Sequence, residues 1–154
     1  WNIALDVIKL DAKRMGADQW DVAILNDDAI VPDGWFDAVS KTMRQMDGAA
    51  GCSGGLSPFS TINTRPGPVP LHTRLFGPAF IVAGEKGLRA EERIKWYFTD
   101  DYMDWESRKL GGMVQVPGYP VTHLYPNQQV TPAIQEQISK DATLFKEIYG
   151  QLPW

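Results

Sequence analysis

The run Val22-Ala23-Ile24-Leu25, closed abruptly by Asn26-Asp27-Asp28, constrains this chain more than any other stretch. An apolar run of that length, bounded by polar and turn-forming residues, reads as a buried strand over 21–26 with Asn26, Asp27 and Asp28 at its carboxyl edge. Open α/β sheets place their ligands at the carboxyl ends of strands. Hard oxygen donors at that edge suit Mg2+ or Mn2+ bound to a phosphate. A second reading stands beside this one: Asn and Asp are favoured in turns and caps, and the three residues then only connect the strand to Ala29-Ile30-Val31-Pro32-Asp33-Gly34-Trp35.

The surrounding pattern is that of an α/β chain. Residues 1–16 place Ile3, Ala4, Val7, Ile8, Leu10, Ala12 and Met15 between charged positions, a helical stripe with Gly16 as its C-cap. Trp35 to Met46 repeats helical spacing after the Pro32-Asp33-Gly34 turn. Ala49 to Ser53, Leu75 to Val82, broken by Gly77-Pro78, and Met113 to Pro117 read as strands, and Glu85 to Lys95 as a short charged helix. Thr131 to Tyr149 forms a last helix, with Pro132 at its first position, Gly150 after it, and Ile134, Ile138, Ala142, Phe145 and Ile148 on one face. Ser57 to Pro70, rich in Pro, Gly, Ser, Thr and Asn, is expected to be a long loop, and such loops are often functional. Arg65 and Arg74 flank it. Either can meet a diphosphate or simply stand in solvent.

Composition narrows the function classes. With 154 residues, 44% hydrophobic and 22% charged, the chain makes one globular domain with a real core. A net charge of -4 and no run of Lys and Arg argue against a nucleic-acid surface. Cys52 stands alone, which excludes an internal disulfide and a Cys-based metal site and fits a reducing, cytoplasmic setting. No transmembrane stretch or signal peptide is recognisable. A chain that starts at Trp1 is expected to be processed or a piece of something longer.

The second informative stretch is Trp96-Tyr97-Phe98-Thr99-Asp100-Asp101-Tyr102-Met103-Asp104-Trp105-Glu106-Ser107-Arg108. A helix capped by Thr99 or Asp100 and ended by Gly111-Gly112 puts Asp101, Asp104 and Arg108 on one face. Acidic residues in a first turn also simply complement the helix dipole, and that is the reading preferred for Asp100. For Asp101 and Asp104 the flanking rings point instead to a pocket where a carboxylate is tuned for base chemistry. His123 is one of two histidines, a packed residue unless it approaches Asp28, where imidazole, carboxylate and diphosphate oxygens together make a Mn2+ shell.

The order of Asp21-Val-Ala-Ile-Leu-Asn-Asp-Asp28, Val31-Pro-Asp-Gly-Trp35, Phe76-Gly-Pro-Ala-Phe-Ile-Val82, Tyr97-Phe-Thr-Asp-Asp101, Asp104-Trp-Glu-Ser-Arg108 and Pro117 to His123 resembles the family 2 type glycosyltransferases of the GT-A fold. The resemblance covers most of the chain from Trp1 to Tyr125. It implies a Rossmann-like mixed sheet flanked by helices, a core over 1–125 and a C-terminal helix over 126–154 packed on it. It further implies that Asp28 ligates Mn2+ or Mg2+ with His123 as second ligand, that Asn26 and Asp27 hold a nucleoside-diphosphate sugar, and that Asp101, or Asp104, is the base of an inverting transfer to an acceptor hydroxyl. Two departures mark this chain: Asn26 stands where the family's metal motif begins with Asp, and one extra residue separates Asp101 from Asp104. The family's first strand, which carries the nucleotide-base contacts, is expected upstream of Trp1 or on a second chain. A non-catalytic carbohydrate-binding or assembly module that keeps the same core is the competing expectation, because six tryptophans serve sugar stacking equally well. A metal-dependent phosphohydrolase lacks the second His and Asp cluster it needs.

Overall fold

A computed structural model of the chain describes residues 1–54, 58–70, 73–124 and 130–154. Helix α1 (Asn2–Arg14) leads into β1 (Asp21–Leu25), β2 (Ala29–Ile30), α2 (Trp35–Gln45), β3 (Ala50–Ser53), β4 (Thr61–Asn63) and β5 (Ala79–Ala83). Helix α3 (Thr99–Lys109), β6 (Met113–Val116), β7 (Thr122–His123) and α4 (Pro132–Tyr149) follow. The fold is mixed α/β. Five strands form one sheet in the order β1-β5-β3-β6-β4, and β2 pairs with β7 in a second, two-stranded sheet. Only β3 and β6 run parallel; β1/β5, β3/β5 and β4/β6 are antiparallel.

The period of two along the strands divides the core into two layers. On β5, Ala79, Ile81 and Ala83 face α2 and meet Trp35, Val39 and Met43 together with Val114 and Val116 of β6. Phe80 and Val82 point the other way, joining Leu5 of α1, Met103 of α3, and Ala50 and Cys52 of β3. Every residue of β3, β5 and β6 is buried, which explains why β5 reads as an unbroken apolar run rather than an alternation, while β3 and β6 bury the polar Ser53 and Gln115 among apolar neighbours. Helix α4 lies outside α3, where Phe145 packs against Phe98 and Trp105.

Four expectations are corrected. The helix over 85–95 does not form: a single 3-10 turn covers Gly84–Lys86. Leu88 and Ile94 are drawn into different core clusters, and the N–H groups of residues 95–97 go to a side chain instead of to helical carbonyls. The strand expected to start at Leu75 starts at Ala79, because Gly77 and Pro78 occupy a turn. Within the loop expected over 57–70, of which Ser57 lies outside the described residues, Thr61–Asn63 is the edge strand β4, paired along Asn63, Ile62 and Thr61 with Met113, Val114 and Gln115. The stripe expected on the first helix is misplaced: of its residues Ile8 and Ala12 pack inward, beside Leu5, which the stripe omits, while Ile3, Val7, Leu10 and Met15 are exposed.

Candidate functional site

The carboxyl end of β1 opens on a cavity of about 1540 Å3 bordered by Asn26, Asp27, Arg74, Asp100, Asp101 and His123. The chain turns there because the Asn26 N–H donates to the Pro78 carbonyl at 2.9 Å and the Ala29 N–H returns to the Asn26 carbonyl at 3.2 Å. The β2/β7 ladder then sets Ala29 opposite His123, and the Leu124 N–H donates to the Asp28 carbonyl at 3.0 Å. These backbone bonds bring two side chains 95 positions apart into contact: His123 Nε2 lies 3.0 Å from Asp28 Oδ2. Asn26, Asp27 and His123 border the cavity, and His123 carries the contact to Asp28.

Among the described residues no group of three or more His, Cys, Asp or Glu side chains is arranged to hold a metal ion. Asp28 and His123 offer two donors. Their 3.0 Å contact is that of a His–Asp hydrogen bond or ion pair, and a carboxylate with an imidazole nitrogen is also a donor set Mn2+ accepts. A divalent ion held by this pair would have to take its remaining ligands from water and phosphate.

The start of α3 also borders the cavity. Asp101 has a side chain 16% exposed and takes an ion-pair contact from Arg74 Nη1 at 3.4 Å. Burial pushes its carboxyl up to about 7, the neighbouring Asp100 charge pushes in the same direction, and Arg74 opposes both. Asp100 is raised as well, by burial first. Gly77 makes room for it, since a Cβ there would overlap the Asp100 carboxylate. Arg74 is itself held: its Nε donates to the Val69 carbonyl at 3.0 Å, and Trp154 faces its guanidinium at 5.9 Å.

Asp104, expected as the alternative base, is corrected here. Both of its oxygens are taken by Arg108, at 2.9 Å from Nε and 2.6 Å from Nη2, and its side chain is 1% exposed. Burial lifts its carboxyl to about 6 against the opposing pull of Arg108. A carboxylate sealed in this way stands outside the cavity and receives no proton from a ligand there. The pair instead ties α3 to the preceding loop, because Arg108 Nη1 donates to the carbonyls of Arg65 and Gly67 at 3.3 and 3.2 Å. Arg65 contributes that carbonyl and leaves its own side chain exposed, so the cavity's arginine is Arg74.

Asp100 and Asp141 are the residues whose placement the sequence concealed. Asp100 has the sequence context of a dipole-complementing residue, and only the Gly77 gap distinguishes it. Asp141 lies on an otherwise unremarkable polar register of α4, yet it is 1% exposed and accepts the backbone N–H groups of Lys95, Trp96 and Tyr97 at 3.1, 2.8 and 2.9 Å. Burial acts against its charge, but those three bonds, with Gln137, hold its carboxyl below the usual range. Comparison of the chain with protein-family models, with curated proteins and with solved structures finds no match.

Proposed function

We propose that this chain carries the metal and acceptor side of an inverting glycosyltransferase site, moving a sugar from a nucleoside-diphosphate sugar to an acceptor hydroxyl. One observation carries the reading: Asp28 touches His123, which borders the same cavity as Asp101, a carboxyl raised to about 7. Asp28 and His123 would hold Mn2+ or Mg2+, which when bound neutralises charge on the leaving diphosphate. Asn26 and Asp27 contact the donor's hydroxyls and ribose from the strand end. Asp101 takes the acceptor hydroxyl's proton while that oxygen forms its bond to the anomeric carbon and the bond to the diphosphate breaks. With one base and no carboxylate nucleophile, attack from the far face inverts the centre. Arg74 keeps Asp101 oriented, and Asp104 with Arg108 fixes the helix that carries it.

A second reading, a carbohydrate-binding module without turnover, is favoured by the exposed rings of Trp96, Tyr97 and Trp154 on the cavity rim. A thermal-shift screen of Mn2+ with nucleoside diphosphates separates the two, because a ligand bound only to the folded state must raise the melting temperature. The transferase reading expects a rise that Asp28→Ala abolishes, and a loss of transfer in Asp101→Asn with the rise intact. No rise with any nucleotide would leave the module reading in its place.

A further inference from the structure

The segment that carries Trp96, Tyr97 and Phe98 is built with more effort than a connection needs. Its three consecutive N–H groups at Lys95, Trp96 and Tyr97 converge on the single buried carboxylate of Asp141. Phe98 then takes a left-handed backbone at φ 66°, a conformation that disfavours a residue with a Cβ. Backbone held in such a state persists only where its surroundings over-determine it. Here the surroundings are Phe145 and Trp105 behind Phe98.

That construction does not bury the neighbouring rings. Trp96 is 55% exposed and Tyr97 47%, although both border the cavity, and Trp154 is 63% exposed while stacking on Phe98 with ring centroids 5.2 Å apart. Tyr97 meets the other edge of Phe98 at 5.5 Å, so Phe98 is the fixed centre of a ring system whose outer members face the open cavity. Rigid rings left facing a cavity are ligand-binding surface, since indole and phenol supply large contact area with only two side-chain torsions to order. The charge around them selects the ligand. Of the charged residues that border the cavity, Glu91 is paired with Arg93 and Asp101 with Arg74, which leaves Asp27, Glu92 and Asp100 against Lys95. That acidic balance disfavours an anionic acceptor beside the rings, whereas a neutral one with hydroxyls for the carboxylates and an apolar C–H face for the rings is accommodated.

We infer that Trp96, Tyr97 and Trp154 form a stacking platform for a neutral sugar ring, so that the acceptor is a carbohydrate laid on the rings with a hydroxyl toward Asp101. Asp141 is a positioning residue for that platform. The acceptor role rests on the transferase reading; binding of the sugar does not.

The test is titration of the full chain, without metal or nucleotide, with neutral hexaoses of glucose, mannose, galactose and N-acetylglucosamine, read by tryptophan fluorescence and calorimetry. At least one hexaose should bind and shift the emission. Trp96→Ala and Trp154→Ala should each weaken it about tenfold or more, while Trp96→Phe, which keeps a ring, stays within about threefold of the parent. Melting curves of the variants confirm that they fold, since both tryptophans are largely exposed. Asp141→Asn should weaken the sugar while leaving any shift with Mn2+ and nucleoside diphosphate in place. No binding by any of the four hexaoses, or binding indifferent to both alanine variants, overturns the platform. A missing Mn2+ and nucleotide response with sugar binding intact overturns only the transferase reading.

Discussion

At the residue scale the account turns on what burial does to single carboxyl groups. Asp101 is lifted to about 7 because water is replaced by protein and by the Asp100 charge faster than Arg74 can compensate. A base must be ionised to accept a proton, so transfer should rise tenfold per pH unit below an apparent midpoint near 7 and level above it, in a pH–rate profile at saturating donor. The same shift has a stability consequence. A carboxyl whose folded value lies above its unfolded one, about 3.9, makes the fold less stable as pH rises between the two. Asp101→Asn should therefore melt higher than the parent at pH 8 while losing activity, and the difference should vanish near pH 4. Equal melting temperatures at pH 8 would show that the carboxyl is not strained by its setting. Asp141 has the opposite sign: its value is lowered, so the stability it contributes is present above about pH 4 and is lost as pH falls below that.

At the element scale, α3 is joined to the preceding loop by Arg108, which donates to the carbonyls of Arg65 and Gly67 and is held within the helix by its ion pair with Asp104, side chains 0% and 1% exposed. Removing one partner leaves a bare buried charge, so Asp104→Ala or Arg108→Ala should each lose about 3–5 kcal/mol in urea unfolding, while replacing both by leucine should lose much less. Additive losses in the double variant would contradict the pairing. This is also where the limits of sequence reading are plainest. The strands β1, β3 and β6 were legible because each is a short stretch of mostly small or apolar residues bounded by turn-forming ones. Helix α4 was legible because Thr131, Pro132 and Gly150 punctuate it, with Thr131 Oγ1 accepting from the Ile134 N–H. Strand β4 was not, because an edge strand of Thr, Ile and Asn has no composition of its own. Residues 85–95 misled because their charges resemble a helix, while the N–H groups of Lys95 and of Trp96 and Tyr97 after it go to Asp141, some 45 positions away. The carboxylates of the site were visible as types; that Asp101 borders the cavity and Asp104 does not follows from tertiary packing alone, as both share a helix face.

At the scale of the whole molecule, a mixed sheet with α2 on one side and α1 and α3 on the other brings the end of β1, the β7 histidine and the start of α3 around one cavity. No helix among the described residues is long and apolar enough to cross a membrane. Donor binding should stabilise this assembly as a unit: at free ligand a hundredfold above its Kd, the folded state gains about 2.7 kcal/mol, which differential scanning fluorimetry resolves.

The most direct measurement is electron paramagnetic resonance of Mn2+ titrated with the chain in the presence of a nucleoside diphosphate. The account predicts that the free-ion signal is depleted in proportion to the parent chain, and that Asp28→Ala and His123→Ala each restore it while Asp101→Asn does not. A signal that stays free with the parent chain, or depletion that survives the loss of Asp28 and of His123, would contradict the assignment of that pair as the metal and diphosphate end of a transferase site.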